Sequence, residues 1–266
     1  MKDVLRQVKE NDYKLPHDWD EFTAVQNVIN VLGSIDSELR DDLAYSILSH
    51  WLLVERFLTG EQLEEILEYA VSNDMLFHKI GEEDTDSIFL RSFSALLIAL
   101  ILIRDNQDEF LHESIYRRVQ DKIISYCFLE KDFRSFVDKK GWAHAPAHIS
   151  DAIDECVLNR FTGLNECQKL WKSLLNLIES ATHVFDAEED ERIATAVTSM
   201  IKSEKVPLTT LLDWIEQGDV PEKKDLYSMY KKINMKHFIR SLFIRLNGKK
   251  DDQLLEIERK FNPFNT

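Results

Sequence analysis

Two imidazoles four residues apart, His144 and His148, and a carboxylate three further on, Asp151, lie within GWAHAPAHISDAIDE, residues 141–155. On a regular helix the three side chains fall in one stripe roughly 60° wide. Histidines at i and i+4 can share one metal ion, as they do in H-E-x-x-H. Here positions 145 and 146 are Ala and Pro, so the glutamate of that motif is missing. Asp151 is seven residues from His144, about 10.5 Å along a helix axis. Its expected part is to hydrogen-bond the His148 ring and fix the tautomer. A divalent metal at His144 and His148 would need a further ligand from another helix, with Glu189 and Asp190 as candidates. Beyond that metal the pattern specifies no cofactor. The plainer alternative is a satisfied polar cluster of both histidines and Asp151, with Trp142 packed nearby.

Pro146 limits where this helix can begin, because its missing N–H and its ring are tolerated only in a first turn. The start is expected between Gly141 and Ala145. His148 is then in or near the first turn and His144 at its edge. The positive end of the helix dipole there would help to keep both rings neutral.

Several arginines also fall on apolar stripes. Arg40 shares one with Ala44, Ile47 and Trp51. Arg91 interrupts the most hydrophobic run, and Arg240 sits among Met235, His237, Ile239, Ile244 and Leu246. A buried guanidinium without a partner is very costly, so each should face a carboxylate or a wet cavity. Asp41, Asp151, Asp154 and the run DAEEDERIATAV are the candidate partners. In that run Asp186 with Glu189 reads as a capping box, which leaves Arg192 unexplained. These residues suggest a polar patch on a concave surface. No phosphate-binding loop, dinucleotide fingerprint or nucleophile elbow is present.

The elements that must position these residues read as helices. The chain has 266 residues, 44% hydrophobic and 30% charged, with only 7 Gly and 5 Pro. So few turn residues favour long helices joined by short loops. Apolar stripes at 3–4 spacing recur after Asp36 or Ser37 and after a capping box formed by Thr59 and Gln62. Residues 86–103 are apolar on nearly every side and belong in the middle of a packed layer. Further helices are expected near 142–160, 164–184, 187–203, 207–217 and 222–247. No β-alternation of useful length occurs.

Helix pairs starting near 37, 85 and 142, each spanning about 44 residues, have the size of HEAT units. The expectation is one all-α domain with no sheet, a HEAT-like helical-pair solenoid or α/α superhelix. Residues 1–24 form a helix and lead-in, 25–247 the helical array and 248–266 a terminal tail or helix.

Net charge is −15, which disfavours nucleic acid as a partner. Nine basic residues against one aspartate between Lys223 and Lys250 give a local +8, leaving −23 for the rest. Cys127, Cys156 and Cys167 lack C-x-x-C spacing and read as reduced, mostly buried thiols. The opening MKDVLRQVKENDYKLP has no apolar core, and the longest apolar run, Ala95 to Ile103, falls short of the about twenty residues of a membrane span. The expected location is the cytoplasm, with no membrane partner.

LRDDLAYSILSHWL, RSFSALLIAL, DFRSFVDKKGWAHAPAHISDAID, EEDERIATAV and HFIRSLFIRL resemble, in that order, segments of the uncharacterised bacterial family named domain of unknown function 2785. The resemblance covers about residues 25 to 247. Its most specific part is G-W-A-H-x-x-A-H-x-x-D, matched at Gly141, Trp142, Ala143, His144, Ala147, His148 and Asp151. Pro146 stands where an aliphatic residue is expected, and Ser135 where glycine is expected. The resemblance implies a bacterial source, a helical fold and a polar site, and no reaction. The expected function is therefore a helical-repeat binding protein. Its pocket would draw on Arg40, Asp41, Arg91, Trp142, His144, His148, Asp151, Glu189, Asp190, Arg192 and Arg240, and would take a peptide, a protein segment or a small anionic ligand. The alternative is a metal-dependent hydrolase with His144 and His148 as ligands.

Overall fold

A computed structural model describes residues 1–218, 220–221, 225–247 and 251–262. The chain begins with α1 (Lys2–Glu10) and α2 (Glu21–Ile29). A long helical stretch comes next, in which α3 (Ser46–Ser49) is flanked by two π-helical segments, Glu38–Tyr45 and His50–Val54. Then come α4 (Gly60–Ala70), α5 (Ser87–Asp108) and α6 (Glu113–Leu129). A two-stranded hairpin, β1 (Phe136–Val137) and β2 (Gly141–Trp142), leads into α7 (Ala145–Leu158). The remainder is α8 (Leu164–Ser180), α9 (Glu189–Lys202), α10 (Leu208–Glu216), α11 (Leu226–Arg245) and α12 (Asp251–Lys260). The helix start expected at 222, and residues 248–250 and 263–266 of the expected terminal tail, lie outside the described residues.

Helix starts follow from capping chemistry. Thr59 and Gln62 exchange hydrogen bonds across the first turn of α4, at 3.3 and 2.9 Å, as a capping box should. Asp20 accepts from the Thr23 N–H at the start of α2. Pro146 sits in the first turn of α7 with His144 as N-cap, inside the window its ring allows.

Two expectations need correction. The chain is not free of sheet: Phe136 pairs with Trp142 and Val137 with Gly141, antiparallel. Strands of two residues are too short to leave an alternating pattern. The helix opened by Thr59 ends at Ala70, and turns follow it. Asp186 and Glu189 form no capping box. Glu188 is the N-cap of α9, at φ 69°, and Glu189 turns back to accept from the Ala187 N–H at 2.9 Å.

The layers are built by α5 on α7, α7 on α9 and α9 on α11, while α6 packs on α8 and α4 on α5. Apolar side chains from Leu5 to Phe261 join in one buried cluster. At its centre, α5 is long and apolar enough to cross a membrane by composition, yet 83% of its most apolar window is buried against neighbouring helices. Cys127, Cys156 and Cys167 are free thiols in this core.

One polar cluster in the core is fully paired. The Arg91 guanidinium meets the Glu130 carboxylate at 2.7 and 2.8 Å, with both side chains fully buried. It also donates to the carbonyls of His78, Lys79 and Glu82 and to the Ser87 hydroxyl. Tyr126 donates to the same glutamate at 2.7 Å, and the Lys131 and Asp132 N–H groups cap it. Every valence of this ion pair is used, which is what makes such burial tolerable.

Candidate functional site

The hairpin fixes the approach to α7. Gly141 sits at φ +81°, and a Cβ there would lie 2.6 Å from Ser37 Cβ and 3.1 Å from Arg40 Nη2. Only glycine fits both that backbone and that contact. Arg40 lies beneath, fully buried. It donates to the carbonyls of Ser34, Lys140 and Trp142 at 2.5, 2.7 and 3.2 Å. Its guanidinium carbon lies 4.1 Å from the Phe89 ring centre and 4.8 Å from that of Phe93. Arg40 thus bolts the first π segment to the hairpin, and burial lowers its pKa to about 10.

His144 is held in the left-handed region, φ 52°, an uncommon conformation for a residue with a side chain. Its N–H donates to the Arg134 carbonyl, and its own carbonyl accepts from the His148 N–H, both at 3.0 Å. The ring Nε2 is 2.8 Å from the Ala187 carbonyl and 3.4 Å from Glu189 Oε1. A carbonyl can only accept, so Nε2 carries the hydrogen, and in the neutral ring Nδ1 keeps its lone pair. Trp142 stacks on this ring at 5.0 Å and is 39% exposed.

His148 lies one turn deeper, 7% exposed. Its ring meets Phe93 edge-on at 5.2 Å and His144 at 5.5 Å. Nδ1 is buried and has no hydrogen-bond partner. Burial first, then the neighbouring His144, Arg192 and Arg40, hold its pKa well below 6.5. Burial thus favours the neutral ring, whose Nδ1 is left unpaired.

Asp151 does not bind the His148 ring. It accepts from Arg192 of α9, Nε at 2.8 Å and Nη2 as well, in a fork-to-fork pair. Burial raises the Asp151 pKa despite that partner. Across from α7, the π segment presents Asp41 and Tyr45. Neither side chain carries a hydrogen bond to a described residue. Burial raises the Asp41 pKa against the pull of Arg40. Tyr45 rests edge-on against Phe93 at 6.2 Å. Burial, then the negative charge of Asp151, pushes its hydroxyl up to about 12.

Of the residues singled out in the sequence, Asp41, Trp142, His144, His148, Asp151, Glu189 and Arg192 come together, with Arg40 packed under them. Three do not join. Arg91 belongs to the Glu130 cluster. Arg240 pairs with Glu258 of α12 at 2.8 Å. Asp190 accepts from Ser241 of α11 at 2.7 Å. Tyr45 and Phe93 were not singled out, although Tyr45 stands one turn after Asp41 on the same segment.

A metal does not fit this donor set. Among the described residues, no three His, Cys, Asp or Glu side chains are grouped as an ion would require. Zinc sites use three or four protein ligands. Here His144 Nε2 is spent on a carbonyl and Asp151 on an arginine. What remains is a set of hydrogen-bond acceptors, namely His148 Nδ1, the Asp41 carboxylate and Glu189 Oε1, the last without a hydrogen bond. The Tyr45 hydroxyl sits beside them. Three clefts elsewhere, of about 430, 360 and 450 Å3, are lined by other residues.

No curated protein and no solved structure matches the chain. Residues 76–244 match the model of a family described as a protein of unknown function, DUF2785. That span runs from the turns before α5 through α11 and contains the histidine motif, its arginine partner on α9 and the Arg91–Glu130 pair. The chain belongs to the DUF2785 family.

Proposed function

We propose that the chain is a helical-repeat binding protein that holds a peptide or protein segment at the His144–His148 site. The proposal includes a HEAT-like arrangement, in which α5, α7, α9 and α11 form one layer and α4, α6 and α8 the other. The successive packing of α5, α7, α9 and α11 supports it. Helical arrays of this kind present long surfaces suited to recognition.

The observation that carries the reading is the unpartnered Nδ1 of His148. A buried polar atom without a partner costs about 1–3 kcal/mol, and folded chains retain few of them. Of the five unpartnered buried side-chain atoms among the described residues, three, His148 Nδ1, Arg40 Nε and Glu189 Oε1, belong to this site, while the Arg91–Glu130 pair is saturated. Groups kept ready for a ligand behave in this way. Both terminal nitrogens of Arg40 are taken by carbonyls, leaving its Nε unbonded, and Arg192 is held by Asp151; the unpaired Asp41 carboxylate then favours a hydrogen-bond-donating ligand over an anion.

Isosteric variants test this without knowledge of the ligand. Asp41→Asn and Tyr45→Phe remove functional groups and keep shape. If the groups serve binding, urea denaturation will give stabilities equal to or above wild type. A loss of more than about 1 kcal/mol in both variants, the cost of breaking native hydrogen bonds, would make the cluster structural and end the binding reading.

A further inference from the structure

We infer that the group recognised at this site is a primary alkylammonium, as carried by a lysine side chain or a free amine, seated among Asp41, Tyr45 and His148 with Trp142 as an aromatic wall. The inference rests on the binding reading above and adds the chemical class of the ligand.

The acceptors available to a ligand set that class. The Asp41 carboxylate is unpaired, because its neighbour Arg40 points away into three carbonyls. His148 leaves Nδ1 unpaired, a lone pair in the tautomer with its hydrogen on Nε2, and burial disfavours a competing positive charge there. The Tyr45 hydroxyl accepts as readily as it donates. Tyr45 and His148 both rest against the Phe93 ring, and Asp41 is one turn from Tyr45 on the same π segment.

An ammonium carries three donors and no acceptor, one for each of these groups. A carboxylate or phosphate would face the unpaired Asp41 carboxylate. Nor could it recruit the site's arginine without breaking the Asp151–Arg192 fork.

The approach is aromatic. Trp142 is partly open to solvent and stacks on His144, and Phe136, 58% exposed, meets it edge-on at 5.1 Å. An indole face is a favourable wall for a cation. The alkyl stem of a lysine would lie along these rings, as such stems do on apolar surface. The net charge of −15 raises the local concentration of cations at the surface.

Isothermal titration of the full chain tests the class and its source. The probes are an Ala-Ala-Lys-Ala-Ala peptide with blocked ends, the same peptide with acetyl-lysine or norleucine in place of lysine, an Ala-Ala-Glu-Ala-Ala peptide, and free spermidine. The expected result is binding of the lysine peptide, weakened at least tenfold by acetylation, by norleucine and by Asp41→Asn in the protein. Binding of spermidine in preference to the peptide, with the same loss on Asp41→Asn, supports the ammonium class and assigns the source to a free amine. Equal binding of the acetylated or norleucine peptide, or stronger binding of the glutamate peptide, would overturn the ammonium while leaving a binding site in place. No heat with any ammonium probe at millimolar concentration also overturns it. The stability of Asp41→Asn and Tyr45→Phe reports separately on whether the site serves binding at all.

Discussion

The Arg91–Glu130 cluster and the His144–His148 site use similar materials to opposite ends. Each places ionisable side chains next to the apolar helix α5, and each draws partners from segments far away in sequence. Around Glu130 both oxygens accept, and Arg91 has six acceptor contacts. Around His148 a buried nitrogen, a carboxylate and a hydroxyl are left over. A saturated cluster of charges acts as framework, because removing any member exposes the rest. An unsaturated one gives up stability, and that difference separates a structural polar core from a recognition surface more cleanly than residue type does.

The contrast can be broken first at its framework end. Glu130→Ala leaves Arg91 charged and buried, and should cost about 3–5 kcal/mol, read as a large drop in the urea midpoint or failure to fold. Arg91→Met with Glu130→Leu removes both charges together and should recover most of that loss. If the double variant is no better than the single one, the cluster owes its stability to something other than charge pairing.

Gly141→Ala comes next. It meets both a positive φ and the Ser37 and Arg40 side chains, so a loss of about 1–3 kcal/mol is expected. The hairpin should shift, and the Trp142 fluorescence with it. An unchanged denaturation curve would mean that the hairpin is not clamped.

The third test uses pH. Because the folded pKa of His148 is depressed, the unfolded chain takes up a proton there that the folded chain refuses. That contribution to stability is complete above about pH 6.5 and falls by about 1.4 kcal/mol per pH unit below it, until the folded pKa is reached. Glu155 works the other way. Burial raises its carboxyl from 4.5 to about 7, so its contribution is full below about pH 4.5 and is lost as pH rises towards 7. Buried Asp41, Asp151 and Asp154, also raised, act in the same sense as Glu155. His148→Gln should therefore gain on wild type as pH falls from 6.5 to 5, and Glu155→Gln should lose. A constant difference between His148→Gln and wild type across that range would show that the ring protonates freely.

The smallest effect is expected at Arg192→Met. Its pair with Asp151 is partly solvated, the side chains being 47% and 26% exposed, so the loss should be about 1 kcal/mol or less. A larger loss would move this pair to the framework side of the comparison.

Much of the helical skeleton was legible because its signals are local. Thr59 and Gln62 cap each other across three residues, and Pro146 confines the start of α7 to a window of five. The imidazole pair was legible for the same reason. Partners were not. Asp151 could be assigned to His148 by spacing, but it pairs with a guanidinium 41 residues away, and spacing holds no record of how helices stack. Arg91 announced that it needed a carboxylate, and the one it found is 39 residues on. The two-residue strands and the π turns left no trace either, since an apolar stripe of 3–4 spacing suits an α or a π turn equally well.

Those π turns have a consequence for how this protein tolerates change. A π turn closes its hydrogen bond five residues back instead of four, so the stretch from Glu38 to Val54 stores spare residues within a continuous helix. Deleting Asp42 alone would let the stretch tighten towards an ordinary helix, which takes up the roughly 100° that a lost residue would otherwise impose between its two ends. The hydrophobic seam from Leu43 onward and the guanidinium under the hairpin would both keep their partners. The stretch is thus a length of slack that absorbs the loss of a residue without disturbing the layers behind it.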